Sequence, residues 1–231
     1  VAYPLKGDPE YAPGDFRSSE CVALLEQADI VVTNPPFSLF REYVGQLVQH
    51  DKKFLIVGNK NAITYKETFK LIKENKLWIG VMPMGRDMLF DVPDRHAEKM
   101  ASEGKANSSY KIVDGVIKGR SPSIWFTNMD NKKRHEEITL FRRYKENPAL
   151  YPKYDNYDAI EVRRVADIPE DYDDVMGVPI TFLDKYNPDQ FEIIGSFNAG
   201  AHGEELGATK TLAVSSGKKI YWNGEIKMGR V

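Results

Sequence analysis

A run of mostly β-branched residues, Ile30-Val31-Val32-Thr33, stops at Asn34-Pro35-Pro36-Phe37, and no other feature of the chain limits its fold so tightly. Residues of this kind favour extended backbone. An apolar run this short reads as a strand buried on both faces. Two successive prolines then forbid both helix and ladder, so the chain must leave the sheet at Asn34. Before the strand, Ser18 or Ser19 can cap a helix whose apolar face is Cys21, Val22, Leu24, Leu25 and Ala28. After the prolines a second helix starts near Ser38, with Leu39, Phe40, Tyr43, Val44, Leu47 and Val48 as its apolar stripe.

The alternation continues downstream. Phe54-Leu55-Ile56-Val57 reads as another buried strand. Thr64-Tyr65-Lys66-Glu67 has the form of a capping box and opens a helix carrying Phe69, Leu71 and Ile72. Leu77-Trp78-Ile79-Gly80-Val81 is the next strand. Helix and strand thus alternate from Ser18 to Val81, which predicts an α/β fold with a mostly parallel sheet. Ligands of such sheets bind beyond the carboxyl ends of the strands, where Asn34 to Phe37 stand.

From Met82 to Gly119 the pattern weakens, and residues 104–109 read as a surface loop. Ser123-Ile124-Trp125-Phe126-Thr127 and Ile138-Thr139-Leu140-Phe141 predict a long antiparallel hairpin with residues 128–137 at its tip. A stretch dense in Pro, Tyr, Asp and Asn, residues 147–158, marks a boundary. The expected organisation is a core over residues 1–145 and a smaller C-terminal region over residues 146–231. Short strands are expected at Pro179–Leu183, Phe191–Ile194, Thr211–Val214 and Lys219–Trp222.

Composition removes several classes. One cysteine, Cys21, excludes an internal disulfide and a multi-cysteine zinc site, and fits a reducing cytoplasm. His50, His96, His135 and His202 have no metal-ligand spacing, so no metal is expected. No apolar run approaches the ~20 residues of a membrane span, and the N-terminus has no leader pattern. A net charge of −2 does not suggest a uniformly cationic coat, although a nucleic-acid enzyme needs only one positive face.

The residue types after the first strand suit transfer to a planar amine. The exocyclic N6 of adenine is a poor nucleophile, because its lone pair is delocalised into the ring. Two acceptors aimed at its N–H groups favour the pyramidal nitrogen of the transition state. The Asn34 side-chain oxygen and the Pro35 carbonyl can be those acceptors. Pro35 and Pro36 hold the carbonyl directions, and Phe37 offers a flat face for stacking. A duplex base must be flipped out to reach such a pocket.

The loop resembles the catalytic motif of amino-group methyltransferases that use S-adenosylmethionine. More narrowly, the chain resembles the EcoRI-type adenine-specific DNA methyltransferase family. The likeness runs through Gly14-Asp15-Phe16-Arg17-Ser18, Ala28 to Val44, Gly58 to Glu67, Trp125-Phe126-Thr127-Asn128, Lys132 to Glu137 and Gly177 to Leu183. It implies a Rossmann-like methyltransferase fold, in which Asn34, Pro35, Pro36 and Phe37 hold adenine. It also implies that Asp15 and Phe16 contact the adenine ring of the S-adenosylmethionine cofactor. The alternative role for Asp15 is a helix-leading carboxylate. The glycine loop that cradles the methionine part of the cofactor is not found before Asn34, and is expected to precede Val1. Phe197 to Gly203 reads as a loop rather than as that element.

Lys60 and Asn61 follow the second strand and are candidates to meet DNA, with Asn59 as a turn cap the alternative. Lys132-Lys133-Arg134 is a candidate phosphate contact or a solvated tip. The expected partner is duplex DNA, in a system that can include a cognate restriction endonuclease. The rival readings are methylation of RNA adenine or of a protein glutamine by the same type of loop, and a non-catalytic nucleic-acid-binding fragment.

Overall fold

Ser18 accepts a hydrogen bond from the Cys21 N–H at 3.2 Å and starts helix α1, Ser19–Gln27. Strand β1, Ile30–Thr33, follows, and a 3₁₀ turn at Phe37–Leu39 leads into helix α2, Phe40–Gln49. Strand β2, Lys53–Asn59, a 3₁₀ turn at Lys60–Thr64, helix α3, Lys66–Lys73, and strand β3, Trp78–Ile79, complete the expected alternation. These elements come from a computed structural model that describes residues 4–93, 96–97, 109–196, 220–222 and 225–227. The calls on residues 104–108, on Phe197–Gly203 and on Thr211–Val214 lie outside the described residues.

The remaining strands are β4, Met88–Asp91; β5, Tyr110–Val113; β6, Val116–Ser121; β7, Ser123–Thr127; β8, Ile160–Glu161; β9, Met176–Gly177; β10, Ile220–Trp222; and β11, Glu225–Lys227. The fold is mixed α/β. Packing divides the chain into two compact units, Val1–Ala62 with Met82–Met129, and Ile63–Val81 with Asp130–Val231.

In the first unit β1 and β2 run parallel, with Thr33 opposite Ile56, and β7 joins β2 antiparallel, with Phe126 opposite Ile56. Helix α2 lies on this sheet through Phe40, Val44 and Leu47, against Phe54, Ile56, Ile124 and Phe126, all buried. Gly58 shows why they meet so closely. A Cβ there would stand 2.8 Å from Cε2 of Phe126 and nearer still to the Phe40 ring. A three-stranded antiparallel sheet, in the order β4-β6-β5, belongs to the same unit.

The second unit holds α3, with Thr68, Phe69 and Ile72 buried, the short parallel pair β8–β9, and the antiparallel pair β10–β11. Its interior includes one buried carboxylate, Glu161, which accepts from the Tyr154 hydroxyl. A cavity of about 530 Å³ is lined by Tyr154, Tyr157, Tyr172 and Phe182 among others.

Several expectations are corrected. First, β1 is not buried on both faces: Ile30 is 51% and Val32 64% exposed, because only β2 covers its flank among the described residues. Second, residues 123–141 form no hairpin. β7 takes β2 as its partner, and the Gln190 side chain holds Ile138 instead, accepting from its N–H at 2.8 Å and donating to its carbonyl at 2.9 Å. Third, Pro179–Leu183 is no strand but enters a 3₁₀ turn over Ile180–Asp184. The Phe182 N–H turns back to the Pro179 carbonyl at 2.8 Å, which an extended strand does not allow. At Phe191–Ile194 no strand forms, since the Gln190 and Phe191 N–H groups turn back to the Asn187 carbonyl. Fourth, Tyr65 rather than Thr64 stands at the start of α3, and no side chain caps it.

Candidate active site

The carboxyl end of β1 delivers Asn34-Pro35-Pro36-Phe37 to an open edge. Asn34 and Pro36 are exposed, Pro35 is buried, and Phe37 is 41% exposed. Pro36 has φ −58° and its carbonyl accepts from the Leu39 N–H at 3.0 Å, which fixes the turn into α2. The Pro35 carbonyl and the Asn34 amide take no hydrogen bond among the described residues. Two acceptors are therefore left unused beside an aromatic ring, on a loop that two proline rings and one turn hydrogen bond hold in place.

Asp15 and Phe16 lie against the helix that this loop opens. The Phe16 carbonyl accepts from Gln46 Nε2 at 3.1 Å, and the Phe16 ring meets the Tyr43 ring edge-on at 4.8 Å. Both partners are on α2. Asp15 is gripped by Arg17, whose Nε and Nη2 donate at 2.9 and 2.8 Å and whose N–H donates at 3.0 Å. These bonds, with the guanidinium charge beside them, hold the Asp15 carboxyl down to about 2. Arg17 also lies over the Tyr11 ring at 4.8 Å. Asp15 is thus an ionised acceptor of fixed direction beside a half-buried ring. Oδ1 takes two of the Arg17 bonds and Oδ2 one, so the carboxylate is largely engaged by Arg17. Of the glycines near Asp15 and Phe16, Gly7 faces its own loop and Gly58 faces the core, while Gly14, next to Asp15, has φ of 84° and only the Leu5 side chain, at 3.7 Å, near the place of a Cβ.

Lys60 and Asn61 stand just past the end of β2. Since β1 and β2 are parallel neighbours, this is the same edge as Asn34. Lys60 Nζ donates to the Arg86 carbonyl at 2.9 Å and to Asp87 at 3.3 Å, so its charge is partly committed to the protein. The Asn61 N–H donates to the Asn59 side chain at 2.9 Å, an Asx turn that realises the capping role open to Asn59.

The basic triplet belongs to the other compact unit and lies on a 3₁₀ turn at Lys132–His135. Lys132 is exposed, and Lys133 Nζ donates to the Val81 carbonyl at 3.0 Å. Arg134 is turned inward, 12% exposed, 3.6 Å over the Trp78 ring, with Nη2 donating to Asn75 at 3.0 Å. Burial lowers its pKa, against the pull of Asp130. Sequence patterns missed Arg17, Tyr43, Gln46 and Gly58. The Asp-x-Arg spacing could have suggested the first; the others depend on which helix face meets which loop. Among the described residues no cluster could hold a metal ion and no helix is long and apolar enough to cross a membrane.

A mixed α/β unit that ends a strand in two unused acceptors and an exposed ring can hold a planar amino group. The chain belongs to the adenine-specific methyltransferase EcoRI family, whose model matches residues 4–231. It is 52% identical over 193 residues to the Type II methyltransferase M.EcoRI of Escherichia coli, covering 84% of this chain and 57% of that protein. It is 43% identical over 191 residues to the Type II methyltransferase M.MpnI of Mycoplasma pneumoniae, covering 82% of this chain and 58% of that protein. A third relative, the Type II methyltransferase M.MgeORF184P of Mycoplasma genitalium, is 40% identical over 219 residues, 94% of this chain and 68% of its own. The chain therefore spans a little over half the length of the first two relatives. No solved structure matches it.

Proposed function

We propose that this chain carries the target-base half of a DNA adenine N6-methyltransferase. The carrying observation is the pair of uncommitted acceptors, Asn34 and Pro35, beside the exposed Phe37 ring in a member of an adenine-specific family. A flipped adenine stacks on Phe37. Its two N6 hydrogens point at the Asn34 side-chain oxygen and the Pro35 carbonyl. Both acceptors gain strength as N6 becomes pyramidal and positive, so they bind the transition state better than the ground state. Their directions are set before the base arrives. Asp15 and Phe16 would hold the adenine ring of S-adenosylmethionine, which when bound supplies the methyl group. The Rossmann-like sheet typical of such enzymes would be completed by a glycine-loop element outside the described residues. The division of labour follows: residues 1–145 carry catalysis and residues 146–231 help recognise duplex DNA. On this reading Lys60 and Asn61 of the first unit contact DNA, and so do Lys132 and Lys133 of the second, whose turn Arg134 braces through Trp78 and Asn75. The same assignment suits a cytoplasmic enzyme of a restriction-modification system with a cognate endonuclease.

The test is tritium transfer from labelled S-adenosylmethionine to duplex DNA, RNA and protein, compared side by side in the longest natural form of the protein. Transfer to adenine in duplex DNA is expected. Asn34→Ala should melt like the parent, since Asn34 is exposed and makes no described bond. It should slow single-turnover transfer a hundred-fold or more, the effect of losing one preorganised acceptor worth on the order of 3 kcal/mol. Parental rates in Asn34→Ala would sink the mechanism.

A further inference from the structure

The β5–β6 ribbon has a feature that costs stability and has no use inside the fold. Its register sets Lys111 directly opposite Lys118. Like charges directly opposed across an antiparallel pair repel. Arg120, two residues beyond Lys118, lies on the same face of the strand, so that face carries three cations. Asp91 of β4 answers Lys118, and Asp87 answers Arg120 at 2.7 Å. Lys111 is exposed and has no ion pair among the described residues.

The ribbon is also exposed at its tip. Asp114 and Gly115 have φ of 49° and 79°, as a two-residue turn between Val113 and Val116 requires. Beside it Ile112 is 51% and Val116 53% exposed. Its base is tied to the catalytic edge. Asp87, which holds Arg120, also receives Lys60 from the end of β2 at 3.3 Å, and β2 runs parallel to the strand that delivers Asn34. All these residues belong to one compact unit.

We propose that the β5–β6 ribbon is a DNA-gripping element, with Lys111, Lys118 and Arg120 tracking phosphates of the duplex beside the flipped base. This rests on the methyltransferase reading above. A two-stranded ribbon fits the major groove. Phosphates relieve the Lys111–Lys118 repulsion that the free protein must bear, and the apolar tip then faces base edges rather than water. Lys111, the one of the three that no carboxylate answers among the described residues, gains most from a phosphate.

The experiment compares the parent, Lys111→Gln, the Lys111→Gln/Lys118→Gln double variant and Lys73→Gln, a charge-matched control on the exposed face of α3. Binding to a fluorescent duplex is followed by anisotropy between roughly 50 and 200 mM salt. Each ribbon lysine removed should lower the slope of log affinity against log salt by about 0.9, while the control leaves it unchanged. Without DNA, Lys111→Gln should melt no lower than the parent, and a rise of about 1 °C is expected from relief of the repulsion. Parental binding by Lys111→Gln, or an equal loss in the control, would overturn the ribbon assignment and leave the methyltransferase reading intact. A lower melting temperature in Lys111→Gln would make the lysine structural and overturn it as well. A parent that neither binds duplex DNA nor transfers methyl groups would overturn both.

Discussion

Replacing Gly58 by alanine tests whether the catalytic loop is positioned from beneath. Gly58 sits in β2 opposite Ile124, and its missing side chain leaves room for two rings. The Phe40 and Phe126 rings lie 5.0 Å apart between centroids, and both residues are essentially buried at 1% and 0% exposure. A methyl group would stand 2.8 Å from Phe126 Cε2, where ordinary contact begins at 3.4 Å, and it presses harder still on Phe40. Phe126 alone must retreat by about 0.6 Å in a core with no slack. Overpacking of this sort costs about 1–3 kcal/mol, or roughly 2–12 °C in melting temperature for a chain of this size. Phe40 is the first residue of α2, three after Phe37, so its displacement should also move the loop and slow methyl transfer. The control is Gly45→Ala, on the exposed face of α2 with nothing within 4 Å of the added carbon. It should stabilise by up to about 1 kcal/mol through helix propensity. Thermal melting by circular dichroism reads both. If Gly58→Ala melts at or above the parental temperature, the tight contact between α2 and the sheet is not real and the reasoning fails.

Phe37→Ala should weaken binding of a duplex carrying a fluorescent adenine analogue by about 1–3 kcal/mol, with Phe37→Trp close to the parent; equal losses in both would exclude stacking. Arg134→Ala should lower stability by about 1–2 kcal/mol through loss of its stack on Trp78 and its bond to Asn75, and Arg134→Lys should rescue little because it lacks the planar fork. Loss of DNA affinity without any change in melting would show Arg134 to be a phosphate contact instead. His135 has its pKa raised above 6.5 by bonds to Asp130, at 2.9 Å, and to Asp189, at 3.4 Å. Its contribution is therefore fully present below that value and is lost as pH rises through the folded pKa. Stability of the parent should fall slightly relative to His135→Gln as pH rises above 6.5, and parallel pH profiles of the two would refute the pairing.

The alternation of α1, β1, α2, β2, α3 and β3 and the position of the Asn34–Phe37 loop are legible in the residues alone. Those signals are local: helical spacing, β-branched runs, a serine cap and paired prolines act within a few residues of each other. Asp15 and Phe16 were legible only through likeness to a family, since nothing in their spacing shows that Gln46 and Tyr43 will meet them. The remaining features follow from long-range packing. Whether Ser123–Thr127 pairs with β2 or with residues 138–141 depends on which partner buries Ile124 and Phe126, and the two choices leave the same local pattern. Sequence reading likewise could not turn Arg134 inward, since a basic triplet looks the same whether its third member is solvated or stacked on Trp78. The Lys111–Lys118 opposition arises only from strand register, because the side-chain period of two lets a shift of one residue move every charge to the other face.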